Sequence, residues 1–376
     1  MRIAVNTRLL IKDCLDGIGW FTFESTKRIT EKHPEHQFFF LFDRQWSDEF
    51  IFSSNITPVL ITPQARHPIL WYWWFEHSVS RFLKKNQINL FLSPDGFLSL
   101  STDVTSIPVI HDINFFHRAF DFPFMVGKYY RHYFPLYAKK AARIATVSEY
   151  SKSDISKNYS INPSKIDVVY NGVNKAYFPI EENERNQIKQ KYTQGEDYFI
   201  FIGSLSPRKN ISGLFLAFDE FKKGYPSGYK LVIVGNNLFR SKDVRKIYSR
   251  LVYKNDIIFF DWMKPEKLRL LLGSATALTM VSFFEGFGIP VLEAMYCETP
   301  VITSNITSMP EVAGNAALLV NPLSVESIKN GMLEIVKDDQ LRKKLIINSR
   351  IQRQKFSWDI TAEKLWECVE KCADRE

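Results

Sequence analysis

Short, continuously apolar runs of about four to six residues recur along the chain, separated by longer stretches of mixed character. In the first half they fall at 3–6, 38–42, 59–61, 90–93, 108–111, 144–147 and 167–170. In the second half they fall at 198–203, 230–235, 257–260, 277–281, 301–303 and 317–320. A strand buried on both faces has no polar face to show, so it reads as an unbroken apolar run rather than an alternation. Segments with helical spacing, 211–223 and 290–297 among them, lie between the runs. Strand–helix alternation predicts parallel sheets covered by helices on both faces.

The alternation restarts near Tyr198, and the length of 376 residues fits two domains. Residues 179–197 are polar, charged and open on Pro179, so they read as a linker, although their Glu, Lys and Gln content also suits a surface helix. The expectation is an α/β chain with two Rossmann-like domains facing a central cleft. Residues 1–178 form the N-terminal domain and 198–357 the C-terminal one. A last segment, 358–376, carries Ile360, Leu365, Trp366 and Val369 at helical spacing. Its pattern allows packing on either domain, and it is assigned here to the N-terminal one.

Composition narrows the class. Hydrophobic residues make up 45% and charged residues 24%, the proportions of a soluble globular protein and not of a disordered or fibrous chain. No apolar stretch reaches the ~18 residues of a membrane-spanning helix. Residues 1–6 read as a strand without an apolar export core, so export is not expected. Cys14, Cys297, Cys368 and Cys372 are scattered and form no C-x-x-C pair. Neither a disulfide framework nor a zinc site is expected, and a reducing cytoplasm fits. The net charge of +8 is shared between the halves and permits anionic partners without choosing among them. No nucleic-acid-binding motif accompanies it.

Candidate chemistry gathers at the ends of predicted strands. After 277–281 the chain reads Ser282-Phe-Phe-Glu285-Gly-Phe287-Gly288-Ile289-Pro290-Val-Leu-Glu293. A strand, a glycine-bearing loop and a helix opening on proline aim backbone N–H groups and a positive dipole end at the crevice beyond the strands, a place for phosphate. Glu285 on the loop and Glu293 one turn into the helix are expected to face that crevice. A carboxylate there accepts hydrogen bonds from the paired hydroxyls of a sugar or ribose; a helix cap beside a solvated glutamate is the plainer alternative.

After 198–203, the loop Gly203-Ser204-Leu-Ser-Pro-Arg208-Lys209-Asn210 sets two adjacent cations ahead of a helix. They can neutralise a diphosphate, or can make an ordinary basic turn. His111, followed by Asp112, ends a run in the first half and is expected to line the cleft from the opposite wall, unless it is a capping or core histidine. Gly17 and Gly19 resemble a dinucleotide fingerprint but lack its third glycine, which is weak support for NAD. They would still let a ligand approach the backbone. The chain has no G-x-x-x-x-G-K-[ST], G-x-S-x-G, H-E-x-x-H or Asp-x-Asp. Without the Asp-x-Asp that usually seats a metal on a sugar-nucleotide diphosphate, Arg208 and Lys209 would have to replace the metal.

These residues resemble the retaining glycosyltransferases of family 4, which have the GT-B fold, and the resemblance covers nearly the whole chain. Its most specific part is the E-x7-E element from Glu285 to Glu293, followed by Cys297-Glu-Thr-Pro300-Val-Ile and Pro310-Glu311-Val-Ala-Gly314. Gly203-Ser-Leu-x-Pro-Arg208-Lys209-Asn210 looks like the donor-diphosphate loop, with Ser204 where some members have arginine. Val147-Ser148-Glu149-x-Ser151 and Val169-Tyr-Asn171-Gly172-Val173 match elements ahead of the linker. His111-Asp112 with Phe115-Phe116-His117 is similar to members that build bacterial surface polysaccharides, often mannosyltransferases, which favours GDP-mannose as donor.

The resemblance implies roles. Glu293 would hold the ribose hydroxyls and Glu285 the donor sugar's hydroxyls. Phe287, Gly288, Ile289 and Pro290 would supply backbone N–H groups or shape around the diphosphate. Arg208 and Lys209 would stabilise the charge on the leaving nucleoside diphosphate without a metal or other cofactor. His111 would lie near the anomeric centre and Gly19 by the diphosphate. The partners implied are a nucleotide-sugar donor and a glycan or lipid-linked acceptor. Same-face departure and attack would make the leaving phosphate oxygen the proton acceptor, so Glu285 is not assigned as a nucleophile.

On the acceptor side, residues 66–85 are aromatic and then basic. They could lie on an anionic membrane surface, or Trp71, Trp74, Phe75, Val79 and Phe82 could form a buried stripe. Residues 115–137, also rich in aromatic and basic side chains, suit an acceptor-site loop and helix or core packing. Two rival functions stand beside transfer. One is a sugar-nucleotide epimerase of the same fold, against which the E-x7-E element argues. The other is a non-catalytic glycan-binding partner, against which Arg208, Lys209, Glu285 and Glu293 argue.

Overall fold

A computed structural model describes residues 1–225, 228–235 and 242–373. The chain divides into two compact units, Met1–Gly172 with Ser357–Glu376, and Val173–Phe356.

In the first unit β1 (Arg2–Asn6), β2 (Gln37–Phe42), β3 (Ile56–Leu60), β4 (Leu90–Ser93) and β5 (Thr105–Pro108) form a five-stranded sheet ordered β3-β2-β1-β4-β5, parallel throughout. β6 (Ile144–Thr146) and β7 (Ile166–Val168) pair in parallel, and a bridge from Val109 to Ala145 ties them to the larger sheet. In the second unit β8 (Tyr198–Ile202), β9 (Lys230–Val234), β10 (Ile257–Phe260), β11 (Ala277–Met280), β12 (Val301–Ser304) and β13 (Leu318–Val320) form a parallel six-stranded sheet ordered β10-β9-β8-β11-β12-β13. The apolar runs are buried as two-faced strands require: every residue of β8 is buried, as are residues 38–42 of β2.

Strand order reverses between β1 and β4 in one unit and between β8 and β11 in the other. At such a point the connections leave in opposite directions and open a crevice at the strands' carboxyl ends. Each sheet therefore has one such switch point.

Some elements differ from the sequence reading. The run read at 108–111 overlaps the strand only at Pro108, because β5 lies earlier, at Thr105–Pro108. The polar Thr105 and Ser106 carry the ladder with β4, and Val109 turns toward Ala145. β3 begins at Ile56 and includes Pro58, which an edge strand tolerates because one side of its backbone needs no partner. Residues 179–197, read as the linker, belong to the second unit. Helix Glu182–Thr193 buries Ile188 and Thr193, packs on helix Pro265–Ser274, and its Lys189 pairs with Asp197 at 2.6 Å. A surface helix needs only a narrow apolar stripe, which a scan for apolar content overlooks. The chain passes between units at Gly172–Val173 and again at Phe356–Ser357.

Helix Trp358–Ala373 lies in the first unit against helix Gly17–Lys32. Trp358 meets Phe21 edge-on at 6.2 Å, Trp366 stacks on His33 at 3.8 Å, and Thr361 Oγ1 donates to Tyr170 O at 2.6 Å. A Cβ on Gly172 would stand 2.3 Å from the Trp358 backbone nitrogen. The glycine at this position is thus required by close backbone approach.

Candidate functional site

The second unit's switch point is built from two loops. The first leaves β8 through Gly203, whose φ of 145° suits glycine. Beside it, a Cβ on Gly235 at the end of β9 would lie 1.9 Å from Gly203 O. The loop then makes a tight turn at Pro207–Lys209 and ends on Asn210, which holds a left-handed conformation at φ 55°. Asn210 is the fastener. Its Oδ1 accepts from Gly213 N–H at 3.2 Å and caps the next helix, while its Nδ2 donates to Val281 O at 3.1 Å and Pro322 O at 2.7 Å. That ties the first loop to the end of β11, where the second loop starts.

The two loops meet in one ionic knot. Glu285 Oε2 lies 2.7 Å from Arg208 Nη1, and its Oε1 lies 2.5 Å from Lys209 Nζ. Ser282 Oγ donates to Oε1 at 2.8 Å, and Arg208 Nη1 also donates to Phe284 O at 3.0 Å. Backbone pairing fixes the register: Phe283 N–H donates to Arg208 O at 2.8 Å, and Ser308 Oγ to Glu285 O at 2.9 Å. Burial alone would raise the Glu285 pKa. The Arg208 and Lys209 charges, with the Lys209 and Ser282 hydrogen bonds, outweigh it and hold the carboxyl at about 2. Near the knot, the buried hydroxyls of Ser206 and Thr307 have no hydrogen-bond partner.

Helix Ile289–Tyr296 starts beyond Gly288, whose φ is 94° and whose Cβ, if present, would lie 2.4 Å from Met309 Cε. Pro290 sits in its first turn and Ile289 is half-buried. Phe287 is buried with its ring edge-on to Phe356 at 5.5 Å, so its side chain is core. Ser204 is exposed at the strand end. Glu293, half-buried on the helix, meets the Tyr177 hydroxyl. Burial pushes its carboxyl up to about 7 despite that hydrogen bond.

The remaining predicted residues lie in the first unit. His111 Nε2 is 2.8 Å from Pro94 O, and its ring is edge-on to Phe21 at 4.9 Å. A carbonyl only accepts, so Nε2 carries the proton and Nδ1 the lone pair. Burial lowers its pKa, which keeps the ring neutral. Gly17 opens helix Gly17–Lys32, and the Gly19 N–H donates to the Asp16 cap at 2.9 Å. A Cβ on Gly19 would lie 3.0 Å from Leu15 Cδ2 and 3.2 Å from Leu9 O, so packing already explains the glycine.

Sequence reasoning missed a polar group at this unit's own switch point. Asn6 Nδ2 donates to Ser93 Oγ at 3.0 Å and Asp95 Oδ1 at 2.7 Å, and Arg8 Nε donates to Asp95 Oδ2 at 2.6 Å. The signal available was polar residues at both strand ends. Tyr177, the partner of Glu293, offered none.

The chain matches the family model for glycosyl transferases group 1 over residues 182–352 and that for Glycosyltransferase Family 4 over residues 17–177. The O-antigen chain mannosyltransferase RfbU of Salmonella typhimurium is 32% identical over 273 residues, 71% of each chain. The chain belongs to the glycosyltransferases. The O-antigen chain mannosyltransferase B of Escherichia coli is also 32% identical, over 220 residues and 58% of each chain. The alignments thus span between somewhat over half and about seven-tenths of these two relatives. Among solved structures, Anabaena HepE in complex with UDP and glucose superposes with a TM-score of 0.76, covering 98% of this glycosyltransferase and 99% of HepE at 16% identity. That degree of likeness establishes the GT-B fold and nothing finer.

Proposed function

We propose that this glycosyltransferase is a retaining, metal-independent hexosyltransferase. It moves mannose from GDP-mannose to a glycan or lipid-linked glycan in surface-polysaccharide synthesis. The observation that carries the reading is the knot of Arg208, Lys209 and Glu285 at the switch point of the second sheet. A diphosphate entering that crevice meets two preorganised cations, one of them buried, in surroundings where water screens little. Lys209 and Arg208 bind the donor phosphates and stabilise the charge that grows on the leaving diphosphate. Ser206 and Thr307 offer further donors to phosphate oxygens. Glu285, ionised across the working range, accepts from donor-sugar hydroxyls. A carboxylate clamped by two cations is a poor nucleophile, so Glu285 is given no such role. The acceptor hydroxyl attacks from the face the diphosphate leaves: its oxygen bonds to the anomeric carbon as the carbon–phosphate-oxygen bond breaks, that phosphate oxygen takes the acceptor's proton, and configuration is retained.

Glu293 takes the ribose hydroxyls, displacing Tyr177. His111, neutral with its Nδ1 lone pair, serves the sugar end. The mannose assignment is supported by the two O-antigen chain mannosyltransferases that the chain resembles. A cytoplasmic station, peripheral on the inner face of the membrane, belongs to the same reading.

Calorimetric titration with GDP, UDP, ADP and dTDP in EDTA tests it. GDP is expected to bind best, with affinity rising as pH passes through about 7, because ribose hydroxyls need Glu293 as the carboxylate. Glu293→Gln should remove that pH dependence. Failure of every diphosphate to bind until a divalent metal is added would refute the metal-independent site.

A further inference from the structure

Residues 68–85 run as one helical stretch with a wider π turn at Trp74–Val79, and they lie against helix Phe124–Lys140. Trp71 stacks on Tyr130 at 5.6 Å, and Tyr72 approaches Tyr133 at 6.1 Å, so the outer strips of the two helices are neighbours. The inward face is core. Trp71, Trp74, Phe75, Val79 and Leu83 are buried, and the Trp71 and Trp74 indoles donate to Ala65 O and Ile61 O at 2.9 Å. The stretch's one acid, Glu76, is also turned inward and accepts from the Leu100 and Ser101 amides at 2.9 Å.

The outward face is different. Every exposed residue in 66–85 and in 124–140 is either apolar, aromatic or basic. The apolar members are large: Ile69 is 68% exposed, Trp73 54%, Phe124 75% and Met125 55%, and Phe120 just ahead of the second helix is fully exposed. Lys84, Lys85, Lys128, Arg131, Lys139 and Lys140 stand among them. Large exposed apolar groups in water need a partner, and a face without a single exposed acid selects an anionic one. A second copy of the chain would set the same cations against each other.

We infer that these two helices form a docking face for an anionic lipid bilayer. Phe120, Phe124, Met125, Ile69 and Trp73 enter the headgroup region, and the lysine and arginine heads reach anionic phosphates around them. The inference deepens the peripheral placement above but does not depend on the donor chemistry.

Flotation of the full chain tests it, using vesicles of phosphatidylcholine alone and of phosphatidylcholine with phosphatidylglycerol. The parent should float with the anionic vesicles only, and less so as salt rises. Lys128→Glu with Arg131→Glu should cut binding by about tenfold or more. Trp73→Ser with Phe124→Ser should keep low-salt binding and lose what survives at high salt. GDP titration of the same samples checks that each variant folds and separates failure here from failure of the donor site. Equal binding to neutral vesicles, no flotation of the parent, the charge variant floating like the parent at low salt, or the Trp73 and Phe124 variant floating like it at high salt would overturn the inference. So would a self-association in sedimentation that the same substitutions abolish.

Discussion

Replacing Lys209 with alanine is expected to lower turnover by roughly 100- to 1,000-fold, the usual cost of removing one preorganised charge from a transition state. The effect should be large because Lys209 is buried and its Nζ is fixed 2.5 Å from Glu285 before any donor arrives. A cation already held in place reorganises little as charge develops, and the low local dielectric magnifies its pull on a phosphate. The loss should fall on kcat more than on KM, since ground-state phosphates already carry charge that Arg208 can hold alone. Steady-state kinetics on the purified variant, with GDP titration to confirm a folded donor site, measures both. Activity near that of the parent would remove Lys209 from the reaction.

Glu285→Ala should have the largest effect on stability. Removing one side of a buried ion pair costs about 3–5 kcal/mol, because the charge left behind keeps its desolvation penalty. Here two cations would remain pointed at one another's space. The sign with pH follows from Glu285 being held at about 2, below its ordinary 4.5. Its contribution is fully present above the ordinary carboxylate range and is lost as pH falls toward about 2. The gap between parent and variant should therefore be widest near neutral pH and close in acid. GDP should restore more stability to the variant than to the parent, since a diphosphate supplies the missing anion. Thermal unfolding across pH, with and without GDP, checks all three. An unchanged midpoint at pH 7 would mean that the knot contributes nothing to the fold.

The loops that carry the candidate site were legible because continuous apolar runs mark their strands, and a loop after such a run emerges at the carboxyl end of its strand. Arg208, Lys209 and Glu285 could each be singled out that way. That they form one knot could not, because Arg208 and Glu285 are 77 residues apart and meet only because β8 and β11 are neighbours across the reversal of strand order. Tyr177 was invisible for the same reason: nothing local ties it to Glu293. Periodicity in 66–85 identified the buried stripe correctly for Trp71, Trp74, Phe75 and Val79, which the structure encloses. The opposite strip needed the structure, because only exposure separates Trp73 from Trp74. For 179–197 the Glu, Lys and Gln content allowed the surface helix that Glu182–Thr193 forms, but not its membership of the second unit, since one buried isoleucine among charges looks the same in sequence whether it anchors a helix or not.

The central claim is that this donor site transfers a hexose without a metal and with retention. Its most direct measurement is proton NMR of the reaction with GDP-mannose in EDTA, with isolated membrane glycolipid as acceptor. The account predicts GDP release and a new mannosyl linkage with the donor's anomeric configuration. Inverted configuration, or turnover that appears only when a divalent metal is restored, would contradict it.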